Sequence, residues 1–292
     1  MLKTFSDLTK FGIVIFVLLT GLAGYATSFQ IESSFSFQHL WNFLIGLYLL
    51  SSGSLALNQV QEYKMDQKMA RTTKRPIASG KIKPAAGGVL ALLFLTAGTL
   101  SLYKASELSM WLGLLTVLLY NLVYVYWWKP KWVFAAIPGA IPGALPVTIG
   151  YAANTENIWT SESVFLFLIL FLWQMPHFWA LALKFRNDYQ QGNVPTLPVS
   201  LGVERTLFHM GIYTFLYVMV AMSMPLFVRP SWIFLLLVIP ISVKVLYDFY
   251  RLFRSKGEKS WLSFFMWTNI SVLIYLFVPV LDKWNFLFID FN

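Results

Sequence analysis

The chain has 292 residues, of which 58% are hydrophobic and only 12% charged, with no cysteine and a formal net charge of +9. A soluble domain carries about a quarter charged residues, so the composition excludes one and points to an all-α, polytopic membrane protein. The absence of thiols excludes disulfides, thiolate metal sites and a cysteine nucleophile, which leaves oxygen, nitrogen and metal for any chemistry.

In chain order, nine apolar runs are long enough for a bilayer-spanning helix of roughly 20 residues. They cover 11–30, 38–60, 85–103, 108–128, 132–153, 162–183, 206–228, 231–250 and 261–281. They use nearly the whole chain, so 1–292 is read as a single transmembrane domain. The first run follows Lys3 and Lys10 and looks like a signal peptide. No small-residue cleavage pattern ends it convincingly and eight runs follow, so a retained first helix is expected.

Charge sets the expected orientation. With the N-terminus in the cytoplasm, the inside carries two basic residues before the first run, seven at 64–83, Lys129 and Lys131, three at 184–205 and four at 251–259. Those are 18 of 22, against Lys104, Arg229 and Lys283 outside and Lys244 within a run. Such asymmetry follows the positive-inside rule. It assigns the positive charge to membrane topology and not to nucleic acid, puts the C-terminus outside, and suits a bacterial inner membrane.

Two inside segments, 62–84 and 184–205, are longer and more polar than the others, with four runs between them. That spacing hints at a duplicated four-helix unit plus one helix. The fifth run reads Ala136-Ile-Pro138-Gly139-Ala-Ile-Pro142-Gly143-Ala-Leu-Pro146. It predicts either a kinked, tightly packed helix or a kink that widens a cavity for a bulky substrate.

Asn58, Glu62 and Asp66 stand four residues apart where the second run ends, so a helix puts their oxygens on one face. Magnesium typically takes one or two carboxylates and completes its shell with water and phosphate oxygens. The plain alternative is a solvated helix end with the acids paired to nearby bases. The run Arg71-Thr-Thr-Lys74-Arg75-Pro76 follows directly, and arginine forks recognise phosphate oxygens.

The second cluster is Trp173-Gln174-Met-Pro176-His177-Phe-Trp179, followed by Lys184 and Asp188. Steps of seven and eleven residues from His177 return to one helical face. An intramembrane histidine is a functional candidate, either ligating iron or orienting a propionate or diphosphate; the alternative is a histidine hydrogen-bonded within the packing. His39 and His209 read as structural. Among the aromatic residues, Tyr120, Tyr124, Tyr126, Trp127 and Trp128 read mainly as interface belt, with any inward-facing rings able to shield a carbocation.

The ladder Asn58-x3-Glu62-x3-Asp66 with Arg71 to Pro76 and Ser79-Gly80 resembles the UbiA superfamily of intramembrane prenyltransferases. The stretches 173–182, Asp188-Tyr189, Pro195 to Pro198, Pro138 to Pro146 and Gly150-Tyr-Ala-Ala resemble the branch that farnesylates heme. This resemblance spans about residues 50–205. It implies a nine-helix bundle with a central cavity open to the cytoplasmic side. It further implies Asn58, Glu62, Asp66 and Asp188 as catalytic groups and ligands of Mg2+ on farnesyl diphosphate. Arg71, Lys74, Arg75 and Lys184 would bind the diphosphate, with Lys129 and Lys131 as weaker candidates.

On the same resemblance His177, Trp173 and Gln174 would meet heme b, the acceptor substrate, and the product would serve terminal oxidase assembly. A heme-handling or oxidase-assembly membrane protein is then an expected partner beside the bilayer. Glu62 departs from the usual aspartate, and Lys184 stands where many members carry an acid, leaving Asp188 as that motif's single carboxylate. Two rivals stay open: a prenyltransferase acting on a quinone precursor or other aromatic acceptor, and a non-catalytic transporter or lipid-binding protein.

Overall fold

The computed structural model describes residues 2–227, 232–257 and 260–284. Among these there is no strand, and helices follow one another through short connections. A short helix α1 (Leu2–Thr9) leads into α2 (Phe11–Ser28), α3 (Phe37–Asp66), α4 (Pro84–Ala105) and α5 (Glu107–Lys131). Then come α6 (Ala136–Tyr151), α7 (Ser161–Lys184), the short α8 (Arg186–Gln191) and α9 (Leu197–Ser200), α10 (Gly202–Met222), α11 (Ile239–Arg254) and α12 (Trp261–Lys283).

Among the described residues six of these, α2, α3, α4, α5, α7 and α12, are long and apolar enough to cross a membrane. The other three expected spans also fall on helices. Of these, α6 has only 16 residues, α10 carries Glu204 and Arg205 in its first turn, and α11 carries Lys244, Asp248, Arg251 and Arg254. The chain is a multi-pass membrane protein. Arg229 and Lys259 of the charge map, the last residue of the seventh expected run, the first of the eighth and the end of the chain lie outside the described residues.

Local sequence explains where helices begin. Ser36, Ser106 and Thr160 each accept the backbone N–H three residues on, at 3.3, 3.3 and 3.2 Å, starting α3, α5 and α7. These are the side-chain caps that satisfy otherwise orphaned first-turn donors. At 1.5 Å per residue the 30 residues of α3 run about 45 Å, well beyond a hydrocarbon core of about 30 Å. The helix is thus longer than one crossing needs, and its last turns carry Asn58, Glu62 and Asp66.

Close crossings need small residues because apolar side chains gain nothing from leaving lipid. A Cβ on Gly24 would overlap the Val147 carbonyl, and one on Gly150 the Gly21 carbonyl, so α2 and α6 meet backbone to backbone. Pro142 and Pro146 lie inside α6, and both border the central cavity. The segment is thus tightly packed against α2 through Gly150 and also borders the cavity through Pro142 and Pro146.

Candidate active site

A cavity of about 590 Å³ lies between α2, α3, α5, α6, α7 and α12, within the roughly 300–1,000 Å³ of small-molecule sites. One part of its wall is apolar, with Ile13, Phe16, Val17, Leu47, Leu50, Pro146 and Ile149. Another gathers Asn58, Glu62, Asp66, Lys10, Arg71, Arg75 and Lys129. The three ladder residues, 1%, 7% and 1% exposed, do share one face and turn it inward.

Two flanking glutamines hold that rotation. Gln59 Nε2 donates to the carbonyls of Asp7 and Leu8 at 2.7 and 2.8 Å, clamping α1 to α3. Gln61 Nε2 donates to the Asn121 carbonyl at 2.8 Å. Asn121 Nδ2 donates to the Ser54 carbonyl and Gln61 Oε1 at 2.9 and 3.1 Å, and Ser54 Oγ donates to Asn121 Oδ1 at 2.6 Å. Asn121 sits in the π-helical stretch Leu118–Trp128 of α5, a local widening frequent at functional sites. The same stretch brings Tyr120 and Tyr124 to the cavity wall, ring centroids 5.8 Å apart.

The acids are already partnered by cations from two directions. Arg75 Nη1 donates to both Asp66 oxygens at 2.7 Å, and Thr72 Oγ1 donates to the Asp66 carbonyl at 2.9 Å. Lys129 Nζ pairs with Glu62 from the end of α5. The wall thus holds four basic side chains, Lys10, Arg71, Arg75 and Lys129, against two carboxylates. Desolvation in this recess lowers the Lys10 ammonium to about 7, with Arg75 adding to the effect, Glu62 opposing it, Lys129 adding and Asp66 opposing.

Other expected residues lie farther out. Asp188 accepts the Arg71 backbone N–H at 3.1 Å, and Arg71 stacks on Phe185 and Tyr189 at 5.0 and 5.8 Å while still reaching the cavity. Lys74, Lys131, Lys184 and Asp188 do not line the cavity. His177 and Lys184 keep the expected common face of α7, both meeting rings of α12, but Asp188 does not continue it because α7 ends at Lys184. Phe185 leaves helical geometry (φ −109°, ψ 31°), and Asp188 belongs to the separate α8. Lys184 stands over the Trp261 ring at 5.3 Å.

His177, Trp173 and Gln174 all border the cavity. The His177 ring lies 4.6 Å from Trp173 and 5.0 Å from Phe265, with the Asn269 amide of α12 as its polar neighbour. Gln174 Nε2 donates to the Ala140 and Leu170 carbonyls at 3.0 and 3.1 Å, which ties α6 to α7. Four cavity-lining residues carry buried polar atoms with no hydrogen-bond partner: Asn58 Nδ2, Trp173 Nε1, His177 Nδ1 and Thr196 Oγ1. Unpaired buried groups of this kind call for a ligand or ordered water. His39, by contrast, bonds Tyr25 and the Ala105 carbonyl at 2.9 and 3.0 Å, a structural role.

Magnesium fits this donor set. Asn58, Glu62 and Asp66 offer oxygens on one wall, with room beside them for water and phosphate. Among the described residues no group of three His, Cys, Asp or Glu ligands stands together, so water and phosphate would have to complete the shell of any ion held here.

A membrane-embedded helical bundle whose apolar cavity ends in acids, an amide and excess cations is built to hold an anionic, lipid-like ligand. Comparison with known proteins narrows this class. Residues 17–270 match the UbiA prenyltransferase family. Over the whole of both chains the sequence is 59% identical to the protoheme IX farnesyltransferase of Bdellovibrio bacteriovorus. In fold it is similar to a solved structure of digeranylgeranylglyceryl phosphate synthase, with TM-score 0.76, 17% identity and coverage of 96% of this chain and 98% of that one. It is also similar to a UbiA homolog from Archaeoglobus fulgidus bound to GPP and Mg2+, with TM-score 0.62, 14% identity and coverage of 95% and 99%. The chain belongs to the UbiA prenyltransferase family, as the ladder and the arginine run implied.

Proposed function

We propose that this protein transfers the farnesyl group of farnesyl diphosphate to a vinyl carbon of heme b, with water completing the new side chain and diphosphate leaving. The observation that carries the reading is the shared cavity: a ladder of oxygen ligands and excess cations at one part of the wall, an imidazole between aromatic rings at another. Its full-length likeness to a protoheme IX farnesyltransferase supports heme as the acceptor, and a family relative's complex with GPP and Mg2+ supports the metal.

Asn58, Glu62 and Asp66 would hold Mg2+, which when bound neutralises charge growing on the departing diphosphate. Arg71, Arg75 and Lys129 take phosphate oxygens, so the allylic C–O bond breaks toward a field prepared for the leaving anion. Asp188 fixes the Arg71 backbone, while Lys74, Lys131 and Lys184, off the cavity wall, add only long-range positive potential. Phe16, Leu47 and Leu50 keep water from the allylic cation, and the Tyr120 and Tyr124 rings lend it their π faces. His177 positions the porphyrin, oriented by Asn269 and aided by Trp173 and Gln174.

The topology of this reading is one domain over 1–292 with nine crossings of a bacterial inner membrane. The N-terminus and cavity mouth are cytoplasmic, and the C-terminus is outside. Incubating purified protein with heme b, farnesyl diphosphate and magnesium, then weighing the product by mass spectrometry, tests it. Farnesylated heme is expected. Prenylation of a quinone precursor instead, or of neither, would replace the reading by a sister transferase or by a transport or lipid-binding role.

A further inference from the structure

By its place in the sequence Lys10 belongs to the basic flank of the first span, yet it lines the cavity and its Nζ donates to Asn58 Oδ1 at 2.8 Å. What turns it inward is local. Lys10 joins α1 to α2 with φ 51° and ψ 53°, a left-handed conformation that L-residues avoid. The strained joint is held because Gln59 clamps the carbonyls of the two residues at positions 7 and 8. Nothing about helix capping requires this, since no side chain caps the start of α2.

Unlike Arg75 and Lys129, Lys10 makes no ion pair, and neither does the Arg71 side chain. Arg75 is matched by Asp66 and Lys129 by Glu62, and among the described residues no carboxylate lies within ion-pair distance of Lys10. Its hydrogen bond is to a neutral amide whose own Nδ2 is buried and unpartnered. An ammonium held on a neutral oxygen can move to a phosphate oxygen, where both partners are ionised and Coulombic attraction adds to the hydrogen bond.

Resting on the reading of this cavity as a farnesyl diphosphate site, we propose that Lys10 is a diphosphate-binding residue, parked on Asn58 until substrate arrives and aimed by the clamped α1. An arriving diphosphate takes the ammonium and frees the Asn58 oxygen, so the two groups exchange partners in one step.

The probe is inorganic pyrophosphate with magnesium, titrated calorimetrically into the full-length protein beside steady-state kinetics. Lys10→Met is expected to weaken pyrophosphate about 10- to 100-fold and to raise KM for farnesyl diphosphate in step. Heme b affinity should stay within about twofold, and Lys10→Arg should retain most pyrophosphate affinity. Since the chain has no cysteine, Lys10→Cys can be aminoethylated at that one position, and affinity should return with the ammonium. Gln59→Leu, which frees α1 without altering a cavity cation, should weaken pyrophosphate too and serves where Lys10→Met does not fold. Unchanged pyrophosphate affinity in these variants, equal losses for pyrophosphate and heme, or no recovery on aminoethylation would overturn the role. Absence of farnesylated heme with these pyrophosphate effects intact would instead count against the acceptor.

Discussion

Replacing Asp66 by Asn keeps the side chain's volume and removes one negative charge from the cavity wall, with two consequences of opposite sign. Asp66 is 1% exposed and receives both 2.7 Å contacts from Arg75 Nη1. Freed from it, Arg75 can turn to phosphate, and an arriving diphosphate meets one carboxylate fewer. A charge-assisted hydrogen bond gained this way contributes about 1.5–3 kcal/mol. Against that stands the loss of a charged metal ligand. Two unit charges at 4 Å interact by about 4 kcal/mol at an effective dielectric near 20, and a divalent ion roughly doubles this. Metal loss should win by about 5 kcal/mol, a fall of about 10³- to 10⁴-fold in kcat/KM for farnesyl diphosphate. Initial rates at saturating heme b, with pyrophosphate titrations in the presence and absence of magnesium, measure both sides. Tighter pyrophosphate binding with magnesium present, together with kcat/KM within about tenfold of the parent, would reduce Asp66 to a counter-ion of Arg75 and refute the metal assignment.

Removing magnesium with EDTA should abolish farnesyl transfer and leave thermal stability unchanged, activity returning when the ion is restored; turnover persisting in chelator would count against a metal at Asn58, Glu62 and Asp66. His177→Ala should lower heme b affinity about tenfold, about 1.4 kcal/mol, and alter the heme absorption spectrum with KM for farnesyl diphosphate little changed; unaltered affinity and spectrum would remove its role. Asn121→Leu strands Ser54 and Gln61, at about 2–4 kcal/mol for the broken and unpaired groups, and thermal unfolding should drop by roughly 5–15 °C. Gly150→Val drives a Cβ into the Gly21 carbonyl and should abolish monodisperse protein, whereas Gly88→Val, where a Cβ meets nothing within 4 Å, should purify normally.

The period of 3.6 made the shared face of Asn58, Glu62 and Asp66 legible before any coordinates, and the proximity of Arg75 gave that face an anion to bind. The same arithmetic held from His177 to Lys184 but failed at Asp188, since it assumes a continuous helix and α7 stops at Lys184. Lys10 was legible as a charge near a membrane edge. Its direction was not, because a single left-handed residue outweighs position along the chain, and the clamp enforcing it sits at Gln59. The π-helical stretch of α5 has no signature in hydropathy, so Tyr120 and Tyr124 read as belt residues. Asn269 lay in a span that offered only hydropathy, and its meaning comes from a neighbour, His177, on another helix.

The leaving-group end of the cavity is therefore general, and the choice of acceptor rests on the wall around His177. Gln174 spends its two amide hydrogens on Ala140 and Leu170 carbonyls, so it cannot donate to a phenol or carboxylate without breaking the tie between α6 and α7. What remains there is a ring sandwich, Trp173 and Phe265 about the imidazole, with Trp173 Nε1 and Thr196 Oγ1 buried and unpartnered nearby. A small aromatic acid would leave most of that surface uncovered and would seek a cation, while the cavity's cations lie with the acids of α3. A flat, largely apolar macrocycle offering a metal to nitrogen and peripheral oxygens to two isolated donors matches each group. On the reading proposed above, acceptor choice would fall to the packing between α7 and α12, apart from the diphosphate chemistry on α3.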